Sequence, residues 1–330
     1  MAANAAKKDI DAPLLTRPGL DMPALYAAAE QIAAQHKAAP RADGAAFRAA
    51  LAQRIDSSQR KELDRLSASL VRRGDAGRVR RINGAPADIL YDLADPVALL
   101  LRQGRAPDAN LLANRYLDIQ PQGATGWALL PLFVALHAAP GEPAQAEAVL
   151  AAAPPQLLVI AGLSGTGKSV LAGLLGHRLG RAPGARILRS DVFRKRLMGL
   201  APEQRLPPKH YTRRSDAETY EAMFESADDH LACGSSVILD GTFMSRSERD
   251  VAEAIADRAR VPFTGIWLEA PERDRIARVA ARRGDASDAT EAVVREQSRR
   301  GVGEIHWHRI RTNRPTALIV AAARAALGRT

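Results

Sequence analysis

Gly162-Leu163-Ser164-Gly165-Thr166-Gly167-Lys168-Ser169 satisfies the spacing G-x-x-x-x-G-K-[ST], and the chemistry of that spacing is the holding of phosphate. Its glycines let successive backbone N–H groups turn inward around an anion without Cβ clashes, and a helix that starts at the end of the loop adds the positive end of its dipole. Lys168 then reaches the β and γ phosphates of a nucleotide, the Ser169 hydroxyl reaches a Mg²⁺ ion, and Val170 completes the nucleotide-contacting run.

Two carboxylates and several arginines are placed to act on what the loop holds. Ser236-Val237-Ile238-Leu239-Asp240 closes an apolar run with an acid that can hold a Mg²⁺-bound water opposite Ser169, although a turn residue at a strand end would look the same. Asp191 follows a short apolar run and opens a helix containing Arg194. As a base it would take the proton of an attacking hydroxyl while Arg194 orients the acceptor; Ser190 or Asp191 also suits a helix N-cap. Arg273, Arg275, Arg278, Arg282 and Arg283 lie in or beside one helix, with Arg278 and Arg282 at i,i+4 on one face. A mobile lid carrying such an arginine would neutralise the charge that phosphoryl transfer spreads over equatorial oxygens, and a solvated helix face has the same composition. His210, Tyr211 and the run His306-Trp307-His308 lack metal-ligand spacing and read as packing or substrate-loop residues.

The elements that must position these groups are legible around them. Leu157 to Ala161 reads as a strand buried on both faces, and Leu171, Leu174, Leu175 and Leu179 after the loop fall on one helical face. Strands at Ala185–Arg189, Ser236–Asp240 and Phe263–Leu268, with a last one including Ile310, alternate with helices, the longest from about Asp216 to Ala232. That alternation predicts an α/β fold with a parallel sheet, helices on both faces, and ligands at the carboxyl ends of the strands. The first half reads as mostly helical, through Leu25–Ala39, Ala45–Ile55, Leu63–Leu70, Val97–Leu101 and Leu111–Leu117, with few strands. Residues 1–140 are therefore expected as one domain, 141–155 as a proline-containing linker with a short helix from Ala144, and 156–330 as the phosphate-handling domain.

Bulk properties narrow the partners. The net charge of +10 comes from 47 basic residues, of which 40 are arginines scattered along an alanine-rich chain rather than gathered into an arm. Aromatics at 4% offer few stacking platforms, which speaks against a nucleic-acid partner. The single cysteine, Cys233, rules out an intramolecular disulfide and suits a reducing cytoplasm. Met1 to Leu15 has no apolar core of a signal peptide. The longest apolar stretch, Trp127–Ala139, contains Pro131 and is too short to span a bilayer, so no membrane association is expected.

Taken together, GLSGTGKS, ILRSDVFRKRL, SVILDGTFM, GIWLEAP, RVAARRGDASDAT and Gln297 resemble the P-loop kinase-like domain fused behind an aminoglycoside-phosphotransferase-like domain in bacterial two-domain proteins. They are also similar to the wider group of zeta toxin, gluconate kinase and polynucleotide kinase-like folds. The resemblance implies a P-loop NTPase sheet binding ATP and Mg²⁺, with Asp191 and Arg194 on the acceptor side and Arg278 or Arg282 in the lid; Val170 departs from the threonine frequent there. The first half resembles the end of the phosphotransferase-like domain, through Ile89–Ala94, Asn110, Asn114–Leu117 and Leu129–Leu132. Where that family carries H-G-D-x-H-x-x-N, this chain has Arg73-Gly74-Asp75-Ala76-Gly77-Arg78-Val79-Arg80, lacking both histidines and the asparagine, so a truncated, non-catalytic relative that docks or meets a partner is expected. The function so implied is ATP- and Mg²⁺-dependent phosphoryl transfer to a hydroxyl of an unidentified small-molecule or nucleotide-like acceptor. Its rivals are an ATP-hydrolysing switch acting through a protein partner of the first domain and a nucleic-acid end kinase.

Overall fold

A computed structural model describes residues 22–137, 143–282 and 285–328; the reading of Met1 to Leu15, the first residues of the expected linker, and Arg283 and Gly284 lie outside them. The described residues fall into two compact units, the first running to Ala153 and including Arg181–Gly184, the second holding Pro154–Gly180 and the chain from Ala185 onward. No described helix is long and apolar enough to cross a membrane.

The first unit is built from helices α1 (Met22–Ala38), α2 (Gly44–Ala52), α3 (Ser57–Asp75), α4 (Ile89–Arg102), α5 (Ala106–Ile119), α6 (Gly123–Trp127), α7 (Leu130–Leu136) and α8 (Pro143–Leu150). Asp43, Asp56 and Asp88 cap α2, α3 and α4, each accepting a hydrogen bond from a first-turn backbone N–H. Between α3 and α4 lies an antiparallel hairpin of β1 (Val79–Ile82) and β2 (Ala85–Asp88) that the helical reading of this half passed over. Its turn is Asn83-Gly84, with φ of 52° and 83°, the backbone that a two-residue hairpin demands. Leu90, Leu93, Leu112, Tyr116 and Phe133 form the centre of the core, and Ala146 and Val149 of α8 are buried in it too. The segment expected as a linker therefore contributes a packed helix to the first unit, because its alanine-rich face finds apolar partners there.

Two polar groupings reach into this core. Arg73 clamps Asp88 with two hydrogen bonds of 2.7 Å, and its Nη2 also donates to Gln122 Oε1 at 3.0 Å. His36, buried, meets the Tyr116 hydroxyl at 2.7 Å and the Asp92 carboxylate at 3.0 Å. The arginine that begins the expected degenerate motif is thus a structural clamp, while Asp75 is exposed at the end of α3.

The second unit is a five-stranded parallel sheet in the order β4-β5-β3-β6-β7, formed by β3 (Leu157–Ala161), β4 (Arg186–Arg189), β5 (Val237–Asp240), β6 (Phe263–Glu269) and β7 (His308–Arg311). Every residue of β3 is buried, and they alternate: Leu157, Val159 and Ala161 enter one core with Phe243 and Trp267, while Leu158 and Ile160 enter the other with Leu171 and Leu175. Helices α9 (Lys168–Gly176), α10 (Ser190–Leu197), α11 (Arg213–Ala232), α12 (Arg246–Ala259), α13 (Glu272–Ala281), α14 (Glu291–Arg299) and α15 (Thr316–Leu327) complete the layers. With the glycine loop leaving the central strand, this is a P-loop NTPase-like fold. Register sets the site: Asp240 at the end of β5 stands beside Ile160 on one side and Arg189 on the other, and Trp267 stands beside Ala161.

Candidate functional site

The loop from Gly162 to Lys168 begins at the carboxyl end of β3 and opens directly into α9. Gly165 has φ of 84°, and a Cβ there would sit 2.6 Å from the Arg275 carbonyl oxygen of α13, so the close approach of that helix requires glycine. Gly167, at φ 96°, is the N-cap of α9, and a Cβ on it would meet nothing within 4 Å. The loop is closed on its α13 side and open at the helix N-terminus, which is the side an anion needs. Thr166 Oγ1 donates to the Leu163 carbonyl at 2.8 Å, and the Ser164 N–H donates to Gln297 Oε1 of α14 at 2.8 Å. Leu163 is half-buried, Ser164 nearly buried, and the Val170 side chain points out at 63% exposure, so Val170 would meet a nucleotide only through its backbone.

Lys168, Ser169, Asp191, Asp240 and Arg282 come together. Lys168 Nζ donates to the Leu163 carbonyl at 3.3 Å. Burial lowers the Lys168 pKa, with the charges of Asp240 and Asp191 opposing that shift. Burial raises the Asp191 carboxyl, against the pull of Arg189 and Lys168, and the charges of Asp240 and Asp285 add to the rise. Asp191 is in the first turn of α10 but does not cap it; the N-cap is Arg189, without a side-chain capping bond. The capping alternative for Asp191 is thus not what the structure shows.

Two of the arginines stand elsewhere. Arg194, 7% exposed, is tied to α11 through Asp216 Oδ1 at 2.7 Å and Ser215 Oγ at 3.0 Å, and its guanidinium lies 5.1 Å from the centre of the Tyr211 ring. It therefore braces the loop before α11 instead of facing Lys168. Arg278 donates to the Gly165 carbonyl at 3.3 Å, to Thr312 Oγ1 at 3.0 Å and to the Thr312 carbonyl at 2.7 Å. Three bonds to the loop and to the end of β7 make it a clamp on the back of the loop and not a mobile lid arginine. Nor do Arg278 and Arg282 share a helical face: α13 ends at Ala281, and Arg282 is extended at φ −68°, ψ 138°. Arg282 approaches Asp285 at 3.5 Å.

Sequence reasoning missed three contributors. Arg189 Nη2 donates to Ser169 Oγ at 3.2 Å and to Asp285 Oδ1 at 2.7 Å, and its Nε lies 3.4 Å from Asp240 Oδ2. Burial pushes the Asp285 carboxyl upward, yet the Arg189 charge and hydrogen bond, with Arg282, hold it below the ordinary carboxylate value. Asp288 accepts hydrogen bonds from Tyr211 at 2.8 Å and the Leu206 N–H at 3.0 Å, and pairs with buried Lys195 at 3.2 Å, tying the segment after α13 to the proline loop. The signal available for Arg189 was a charged residue following Ile187-Leu188 at the carboxyl end of the strand.

Whether this site suits a divalent cation can be read from Asp240. It is 4% exposed, and its Oδ2 is buried without a hydrogen bond. A carboxylate oxygen left so at the end of an interior strand, sharing its Arg189 neighbour with the Ser169 hydroxyl, has the oxygen chemistry that Mg²⁺ takes when phosphate oxygens and water supply the remaining ligands. Among the described residues no cluster of three His, Cys, Asp or Glu side chains forms a complete protein cage.

Residues 157–301 match the family model described as an AAA domain. Uncharacterized proteins of Mycobacterium tuberculosis (strain H37Rv) and Mycobacterium bovis are each 29% identical over 172 residues, 51% of this chain and 34% of theirs, so the chain spans about a third of the length of the curated relatives it matches. Among solved structures it is similar to a gluconokinase from Sinorhizobium meliloti 1021 (22% identity, 54% of this chain and 94% of that one, TM-score 0.39). An APS kinase from Mycobacterium tuberculosis in complex with AMPPNP and APS shows 18% identity over 53% of this chain and 99% of that one, at TM-score 0.37.

Proposed function

We propose that residues 156–330 carry an ATP- and Mg²⁺-dependent phosphotransferase acting on a hydroxyl of a small-molecule or nucleotide-like acceptor. The supporting observation is the meeting of Lys168 with two carboxylates of unlike setting at one loop mouth: Asp191, raised by burial, and Asp240, with an oxygen that accepts no hydrogen bond. The raised Asp191 is the better matched to take a proton from an acceptor hydroxyl near neutral pH, and Asp240 with Ser169 would hold the cation. When bound, Mg²⁺ supplies charge neutralisation at the phosphate oxygens. The loop N–H groups and Lys168 position the transferring group, Arg282 and Arg189 are within electrostatic reach of Lys168, and Arg194 and Lys195 shape the acceptor side through Tyr211 and Asp288. The first unit is proposed to take no part in this chemistry.

The test is ADP release by the 330-residue chain with Mg-ATP, alone and against sugars, nucleosides and 5′-hydroxyl oligonucleotides, with Lys168→Ala as control. Stimulation by one acceptor class, lost in the variant, is the expected result. Slow hydrolysis that no acceptor accelerates would replace this reading with a nucleotide switch. Stimulation confined to oligonucleotides and lost steeply with salt would identify a nucleic-acid end kinase.

A further inference from the structure

The position of Arg189 bears on how the cation enters. Its guanidinium touches both groups assigned above to the cation, the Ser169 hydroxyl at 3.2 Å and Asp240 Oδ2 at 3.4 Å, and it is itself only 12% exposed. Backbone register holds it there, since Arg189 and Asp240 are direct cross-strand partners at the ends of β4 and β5. A fixed positive charge between the two ligands and a divalent cation cannot share that space at contact distance, because like charges a few ångströms apart repel, the more so where water is largely excluded. The same guanidinium has a second carboxylate to hold, Asp285 Oδ1 at 2.7 Å, which Arg282 also approaches.

We infer that Arg189 is a resident counter-charge for the cation site: it neutralises Asp240 when no metal is bound, competes with the metal for Ser169 and Asp240, and withdraws onto Asp285 when the metal takes them. This rests on the assignment of Ser169 and Asp240 to the cation. Two consequences follow. Removing the positive charge at 189 strengthens metal binding, and the intact protein holds nucleotide without metal better than a site lacking this arginine, because the guanidinium remains beside the phosphate-holding loop.

Mn²⁺ binding to the 330-residue chain, read from the loss of the free-ion EPR signal, tests the first consequence without any turnover. Without nucleotide and with a non-hydrolysable ATP analogue, Arg189→Met is expected to tighten Mn²⁺ by about tenfold, whereas Arg189→Lys, which keeps the charge, stays near the wild type. Unchanged or weaker Mn²⁺ binding in a folded Arg189→Met protein overturns the inference. So does equal tightening in both variants, because that would trace the effect to packing and not to charge. Calorimetry with Mg²⁺ chelated tests the second consequence: Arg189→Met is expected to bind the ATP analogue about tenfold more weakly than the wild type, and equal or tighter binding by the variant overturns the inference. If the wild type binds no nucleotide even with Mg²⁺, the proposed function fails, while the nucleotide-free Mn²⁺ comparison still decides the role of Arg189.

Discussion

Each unit sets an arginine against a buried aspartate, and the two pairs are built differently. In the first unit Arg73 meets Asp88 in a two-pronged clamp with both bonds at 2.7 Å, Gln122 takes a further donor, and Asp88 also caps α4 through the Leu90 N–H. In the second, Arg189 reaches Asp240 at 3.4 Å with one nitrogen while another donates to Ser169 and Asp285, and Asp240 keeps an oxygen that accepts no hydrogen bond. A pair joined by two short bonds and shared with a helix cap holds a fold together; one met more loosely beside Lys168 is where chemistry has room to occur. Charge buried for stability and charge buried for function are thus separable within one chain by how completely each is satisfied.

That separation is open to breaking. Lys168→Ala should reduce acceptor-stimulated ADP release by a factor on the order of 10³ or more while the melting curve stays put; retained turnover would remove the catalytic reading of the second unit. Asp88→Ala should do the reverse, leaving Arg73 buried without its partner at a cost of about 3 kcal/mol in denaturant unfolding, with turnover per folded molecule unchanged. A stable Asp88→Ala protein would mean that the first pair is no more structural than the second. Asp191→Asn should lower kcat on the order of 10²-fold with nucleotide affinity kept, and a surviving kcat would reduce the carboxylate to a bystander. Asp75→Ala, at an exposed helix end in the first unit, should alter neither stability nor turnover; a loss of activity would show that the expected degenerate motif still works.

Much of this was legible from local pattern. The loop, the doubly buried strand before it, the acid just after β4 and the acid ending β5 all follow from spacing and apolar runs, and the structure places Lys168, Asp191 and Asp240 in one another's electrostatic reach. What escaped depended on non-local geometry. The meeting of Arg189 with Asp240 is set by pairing between strands some fifty residues apart, and no periodicity in either strand reveals it. Arg278 and Arg282 have the right spacing for one face, but the helix stops between them, and helix ends are poorly marked when the sequence offers no glycine at the stop. The hairpin at Asn83-Gly84 carried its signal in plain view, yet Ala85-Pro86-Ala87 has little strand propensity, and it is the turn that dictates the structure there.

Trp267 stands beside Ala161, the last residue before the glycine loop, and is buried in the same core. Of the chain's three tryptophans, Trp127 belongs to the first unit and Trp267 and Trp307 to the second. The molecule therefore carries its own optical reporters: in a Trp127→Phe, Trp307→Phe background, fluorescence from one indole follows the strand that presents the loop, and ligand titrations can be read without a label.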